Sequence, residues 1–207
     1  MRKYYITILC GLFIALQVVL GRWLAIDVVF MRISFVFVPI ALGGAILGPL
    51  WNGLICVAAD IAGFVLFPGQ GAFFPGFTLS AFLTGYTYGF FLKTPLPPLD
   101  NMISTVFPGA GNAGQLSVPD PANPLSSTRS LIVRTFIASF CINILIDALL
   151  NTLWISILYE RAYMFYFGTR MIKSVAMLPV HVVVFGIIWR SLGKYIGTSV
   201  SPKIAAK

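Results

Sequence analysis

The run Phe67-Pro-Gly-Gln-Gly-Ala-Phe-Phe-Pro-Gly-Phe-Thr-Leu-Ser-Ala81 decides how this chain folds, because it interrupts two long apolar stretches without turning polar itself. Glycines and the prolines Pro68 and Pro75 make a tight turn. Phe73, Phe74 and Phe77 ride inside that turn, where a connection through water would carry Ser, Asn or Lys. Two readings follow: the wall or lid of a binding pocket, or a hairpin between membrane helices with its aromatics at the interface. Thr78 and Ser80 open the next apolar run, where a hydroxyl can cap a helix or bond a ligand.

Working outward, the 207-residue chain is 58% hydrophobic and only 10% charged, with a mean hydropathy of +0.93. Soluble domains carry about 25% charged residues, so the composition indicates an integral membrane protein. There is room for about six helices of about 20 residues, in a single membrane domain. Met-Arg-Lys ahead of the apolar run from Tyr4 resembles a signal peptide, but no small-residue cleavage site follows, so this run is expected to be the first span. Cys10, Cys56 and Cys141 lie singly in apolar runs and read as packing residues, not as a disulfide or metal framework.

The sequence predicts an all-α fold of six transmembrane helices over residues 4–24, 33–50, 51–67, 75–92, 131–159 and 169–192. Residues 94–130, with seven prolines and Gly109-Ala-Gly-Asn-Ala-Gly114, read as a flexible connector between the fourth and fifth helices. No internal repeat is visible, which does not support an inverted-repeat transporter. Six spans put both termini and the connector on one side, with nine of the fourteen basic residues: Arg2, Lys3, Lys93, Arg129, Arg134, Arg190, Lys194, Lys203 and Lys207. Basic residues mark the cytoplasmic side, so both termini are expected inside and the Phe67–Ala81 break outside. The net charge of +8 is scattered between spans, without the stripe that nucleic-acid binding needs.

Five basic residues remain on the outer side against the insertion bias. Four of them, Arg22, Arg32, Arg170 and Lys173, share a level beside the aromatic break, and suit a small molecule with a flat ring and an acidic tail. Snorkelling toward lipid phosphates is the alternative for any one of them. Asn143, Asp147 and Asn151 recur every fourth residue, a polar stripe that must face protein or water, and Asp60 is a second carboxylate within a span. Asn143 and Asp147 read as a buried network locking the third and fifth helices together, whereas Asn151 and Trp154, nearer the outer end, read as ligand contacts. His181 is the only histidine and Glu160 the only glutamate, and no nucleophile, phosphate-loop or dinucleotide motif is present, so an enzyme is not indicated. Gly11 and Ala15 form a small-residue patch on the first helix where another helix could approach.

The segments Arg32-Ile-Ser-Phe-Val-Phe-Val-Pro-Ile-Ala-Leu42, Leu47-Gly-Pro49, Ala59-Asp60, Phe73-Phe-Pro-Gly-Phe-Thr-Leu-Ser-Ala81, Asn151-Thr-Leu-Trp154, Arg170 with Lys173, and Met177 with Pro179 resemble the folate-specific substrate-binding (S) components of energy-coupling factor (ECF) vitamin transporters. The resemblance implies a six-helix protein of the bacterial plasma membrane that captures folate on the extracellular side, beneath the loops after its first, third and fifth helices. It implies docking, through Gly11 and Ala15, to a transmembrane coupling subunit driven by two ABC ATPase subunits, with tilting of the S component to deliver the vitamin inward. Carried onto this chain, it has Phe73, Phe74, Phe77 and Trp154 sandwiching the pteridine ring. Asn151 and Thr78 would bond the ring edge, and Arg22, Arg32, Arg170 and Lys173 would hold the glutamate carboxylates. Folate would be cargo, and no cofactor is implied. The 94–130 connector is longer than the family implies. An S component for another vitamin, such as riboflavin, thiamine or pantothenate, and a non-transporting membrane scaffold are the competing readings.

Overall fold

The computed structural model describes residues 2–22, 26–28, 31–67, 73–94, 96, 105, 124–159 and 163–195. Helix α1 (Arg2–Arg22) leads to a hairpin of β1 (Ile26–Val28) and β2 (Met31–Ile33), antiparallel with Asp27 opposite Arg32. Then come α2 (Phe37–Leu47), α3 (Pro49–Leu66) and α4 (Pro75–Lys93). Helix α5 (Pro124–Cys141) continues through a π-helical segment (Ile142–Leu150) into α6 (Asn151–Tyr159), and α7 (Tyr163–Tyr195) closes the order.

Among the described residues, four stretches are long and apolar enough to cross a bilayer: Tyr4–Gly21, Pro49–Leu66, Leu131–Leu158 and Arg170–Ser191. Helix α3 shows how they face their surroundings. Its inner side carries Asn52, Gly53, Cys56, Ala59 and Gly63, while Trp51, Leu54, Ile61 and Val65 point outward. Large apolar groups outside and small or polar groups inside invert the pattern of a water-soluble helix and suit lipid. Helix α4 is long enough but richer in Ser, Thr and Tyr. It packs against α2, α3 and α5 through a buried side of Ser80, Gly85, Tyr88, Gly89 and Leu92, while Leu79 is exposed.

Glycine lets these helices touch backbone to backbone. A Cβ on Gly89 of α4 would lie 2.5 Å from Pro49 Cα, and one on Gly44 of α2 would lie 2.8 Å from Gly89 N. Asn52, wholly buried, pins the same three helices by donating from Nδ2 to Ile40 O (3.0 Å) and Gly85 O (2.8 Å). We expect Gly89→Leu to force α3 and α4 apart and to cost on the order of 1–3 kcal/mol. A clear fall in the unfolding temperature of the detergent-purified protein would report it. Gly186→Ala, whose new methyl would meet only Ile132 at 3.9 Å, should leave that temperature where it was.

Charged side chains close the helix ends on the far side from the aromatic break. Lys93 Nζ donates to Ile46 O at the end of α2 (2.7 Å), and the buried Arg134 donates from Nη1 to Phe91 O and Thr94 O at the end of α4 (2.9 and 3.0 Å). Cations at helix C-termini satisfy orphan carbonyls and the dipole together. The turn between α2 and α3 is made at Gly48, whose φ of +92° is open to glycine and strained for other residues.

Several expected boundaries move. Among the described residues the fold is helical apart from the β1–β2 hairpin, whose second strand takes Ile33, the residue expected to start the second helix, and α2 begins only at Phe37. That leaves α2 with 11 residues, about 16 Å and too short to cross the apolar core alone. Helix α3 starts at Pro49 instead of residue 51, since proline is favoured in a first turn. Residues 124–130, expected as connector, are the first turns of α5, again opened by a proline, and most of the rest of 94–130 lies outside the described residues. The expected fifth helix changes to π geometry at 142–150, and the last runs from Tyr163 to Tyr195 with Pro179 inside it. Cys10, Cys56 and Cys141 are unbridged.

Candidate binding chamber

A cavity of about 330 Å³ opens among α1, α2, α3, α4 and α6. Helix α1 contributes Gln17, Val18 and Gly21; Ser34, Val36 and Ile40 come from the approach to α2 and from α2 itself. Helix α3 brings Cys56, Ala59 and Asp60; α4 brings Phe77, Ser80, Ala81 and Thr84; Asn151 comes from the start of α6. The α4 residues fall at intervals of three and four and therefore line one face of that helix. The volume is that of a small-molecule site, and its polar groups are few and convergent.

The chamber's carboxylate is held in place. Thr78 Oγ1 donates to Asp60 Oδ2 at 2.8 Å, tying α4 to α3. Ser80 is buried and accepts the indole N–H of Trp154 at 3.1 Å, although the two are 74 residues apart. Phe74 lies 5.6 Å from the Trp154 ring and 5.9 Å from that of Phe77. The first turn of α4 is pressed onto this wall, for a Cβ on Gly76 would fall 2.6 Å from Trp154 Cδ2. Phe77 is thus the ring that faces the chamber, backed by Phe74 and Trp154. Phe73 is half-exposed and packs instead on Phe64 at 5.2 Å.

Behind Asn151 sits a charged cluster. Asp147 accepts from Lys173 Nζ at Oδ2 (3.2 Å) and from Arg170 Nη1 at Oδ1 (3.4 Å), and Asn151 Nδ2 donates to the same Oδ1 at 3.3 Å. Arg170 also reaches the Asp147 carbonyl at 3.3 Å. Two cations on one carboxylate leave one positive charge in excess. Deeper along the π segment, Asn143 Nδ2 donates to Ser139 O and faces His181 Nδ1 at 3.3 Å, and the His181 ring stacks on Phe37 at 4.1 Å.

Of the residues expected at a site, Phe77 and Asn151 line the chamber, Thr78, Trp154 and Phe74 support its wall, and Phe73 stands apart. Arg170 and Lys173 meet Asp147. Arg22 ends α1 and Arg32 lies in β2, but their side chains fall outside the described residues, as do residues 68–72 of the aromatic break. Gly11 and Ala15 lie on an outward face of α1, and a Cβ on Gly11 would meet nothing within 4 Å. Sequence reasoning passed over Gln17, Ser34 and Thr84; Gln17, the one glutamine in the apolar first helix and now buried against the chamber, carried a readable signal.

An acid-bearing chamber walled by lipid-facing helices defines the class: a polytopic membrane protein that can hold a small polar molecule within the bilayer plane. No protein-family model matches the chain. It is 29% identical over 194 residues to the folate transporter FolT of Clostridium novyi (strain NT), covering 94% of this chain and 93% of that protein. A shorter match, 36% over 81 residues, covers 39% of this chain and 43% of the FolT of Leuconostoc mesenteroides subsp. mesenteroides. Among solved structures it is similar to a crystal structure of FolT bound with folic acid, with a TM-score of 0.66, 30% identity, and coverage of 89% of this chain and 92% of that one. The chain belongs to the FolT family of folate transporters. It is a transporter protein and not an enzyme.

Proposed function

We propose that this chain is the folate-binding S component of an ECF transporter, taking folate from outside the cell and passing it inward with partner subunits. The observation that carries the reading is the chamber, where Asp60, Gln17 and Asn151 converge beside Phe77 in a chain whose relatives are folate transporters. Asp60 accepts the N–H donors on the aminopyrimidine edge of the pteridine, and Thr78 orients the carboxylate from behind. The ring lies along Phe77, with Phe74 and Trp154 as the backing wall, and the glutamate tail points toward the outer cations. Arg22 and Arg32 serve its carboxylates, aided by the excess positive charge of the Arg170–Lys173–Asp147 cluster. Six passes, with α2 completed by residues 34–36 ahead of it, and both termini in the cytoplasm put the chamber toward the outside, an orientation that rests on the distribution of Lys and Arg.

Titration of the purified chain with folic acid, riboflavin, thiamine, biotin and pantothenate tests the reading. Folic acid alone should bind, at about one per chain. Another vitamin binding in its place would keep the fold and remove the pteridine assignment, and silence from all five in folded protein would favour a membrane scaffold.

Coupling to a transmembrane partner and its two ATPases is assigned to the outward face of α1. Gly11 and Ala15 are exposed there among Ile8, Leu12 and Leu16, a shallow apolar surface on which a second helix can seat closely. Gly11→Leu should leave folic acid binding intact while slowing uptake several-fold in cells that carry the partner subunits. Equal loss of both would mean that α1 is needed for the chamber and not for docking.

A further inference from the structure

Asp147 does not line the chamber, and its two cations make it look like a structural ion pair. Its third partner gives it another role. An ionised carboxylate can only accept hydrogen bonds, whereas an amide has one accepting and one donating end. With Asp147 Oδ1 3.3 Å from Asn151 Nδ2, one of the two N–H donors of Asn151 is taken up and the amide is held one way round, its accepting end turned away from Asp147. That end, Oδ1, is buried and has no hydrogen-bond partner among the described residues, although Asn151 is part of the chamber wall. A buried acceptor without a partner is costly to maintain, and a ligand donor would relieve it.

We propose that Asp147, clamped by Arg170 and Lys173, is a positioning residue that fixes Asn151 as a hydrogen-bond acceptor and so selects ligands with an amino group at this point of the ring edge. The inference rests on the reading of the chamber as a folate site, and in folic acid the group concerned is the 2-amino group. Together with the Asp60 carboxylate, it makes this side of the chamber a pair of acceptors. A pteridine with oxygen in place of that amino group brings an acceptor against an acceptor. Were the Asn151 amide free to turn over, it could serve either ligand, and the discrimination would be lost. Arg170 and Lys173 act on ligand choice through Asp147, whatever they also do for an acidic tail.

The test compares folic acid with its 2-oxo analogue, titrated into the purified full-length chain. The wild-type protein should favour folic acid by about tenfold or more. In Asp147→Asn the partner of Asn151 can itself donate or accept, so the amide is released, and the preference should shrink to within about threefold. A merely structural role would weaken both ligands together and leave their ratio unchanged, which would overturn the proposal. If Asp147→Asn is not recovered folded, Asp147→Glu decides the matter. It keeps the charge between the two cations but moves the carboxylate by one methylene, so a reduced ratio supports the proposal and an unchanged ratio overturns it. Failure of the wild-type chain to bind folic acid would instead defeat the folate reading itself. Folic acid binding without preference over the analogue would defeat only this inference.

Discussion

Asp60→Asn is expected to weaken folic acid binding by about 10- to 100-fold, the cost of losing a charge-assisted pair of hydrogen bonds in an enclosed site. The substitution keeps size and shape, and Thr78 can still donate to the remaining oxygen, so the α3–α4 contact survives. What changes is the face shown to the ring edge, where one acceptor becomes a donor. Titration of both proteins, with unfolding temperatures as a check on folding, separates a lost ligand contact from a damaged scaffold. An unchanged affinity would place the ligand away from Asp60.

Trp154→Ala should lower affinity at least about tenfold, within the 1–3 kcal/mol of an aromatic contact with a flat heterocycle. The indole does two things at once. Its N–H fixes the Ser80 hydroxyl on the chamber wall, and its ring backs Phe74 and the first turn of α4 at Gly76. Trp154→Phe keeps a ring and removes the N–H, so it should fall between wild type and alanine. Equal affinities for all three proteins would show that Phe77 and Asp60 suffice without this wall.

The membrane character and the long helices were legible because lipid demands unbroken apolar runs, and Pro75 at the head of α4 marked its own boundary. The joining of the aromatic break to the Asn151–Trp154 segment could also be anticipated, and the Trp154–Ser80 bond is its physical form. The hairpin at 26–33 was not legible, because three-residue strands are made by pairing with each other and leave no periodicity. Nor could pattern alone show that Asp147 would take both Arg170 and Lys173, 23 and 26 residues further on, since both cations were equally fit to meet a ligand. The π segment escaped for a similar reason. Its residues are ordinary helix formers, and only packing decides that the turn widens there. Asn143, read as part of a network locking the third and fifth helices together, instead joins the π segment to α7 and α2 through His181 and Phe37, because the residue facing it is on the last helix.

The most direct measurement is an experimentally determined structure of the full chain with folic acid. The account requires the pteridine in the chamber, its ring along Phe77 and its amino edge within hydrogen-bonding distance of the Asp60 carboxylate and Asn151 Oδ1, with the glutamate tail toward Arg22 and Arg32. A pteridine lying outside these walls, or one whose amino edge points away from Asp60, would contradict it.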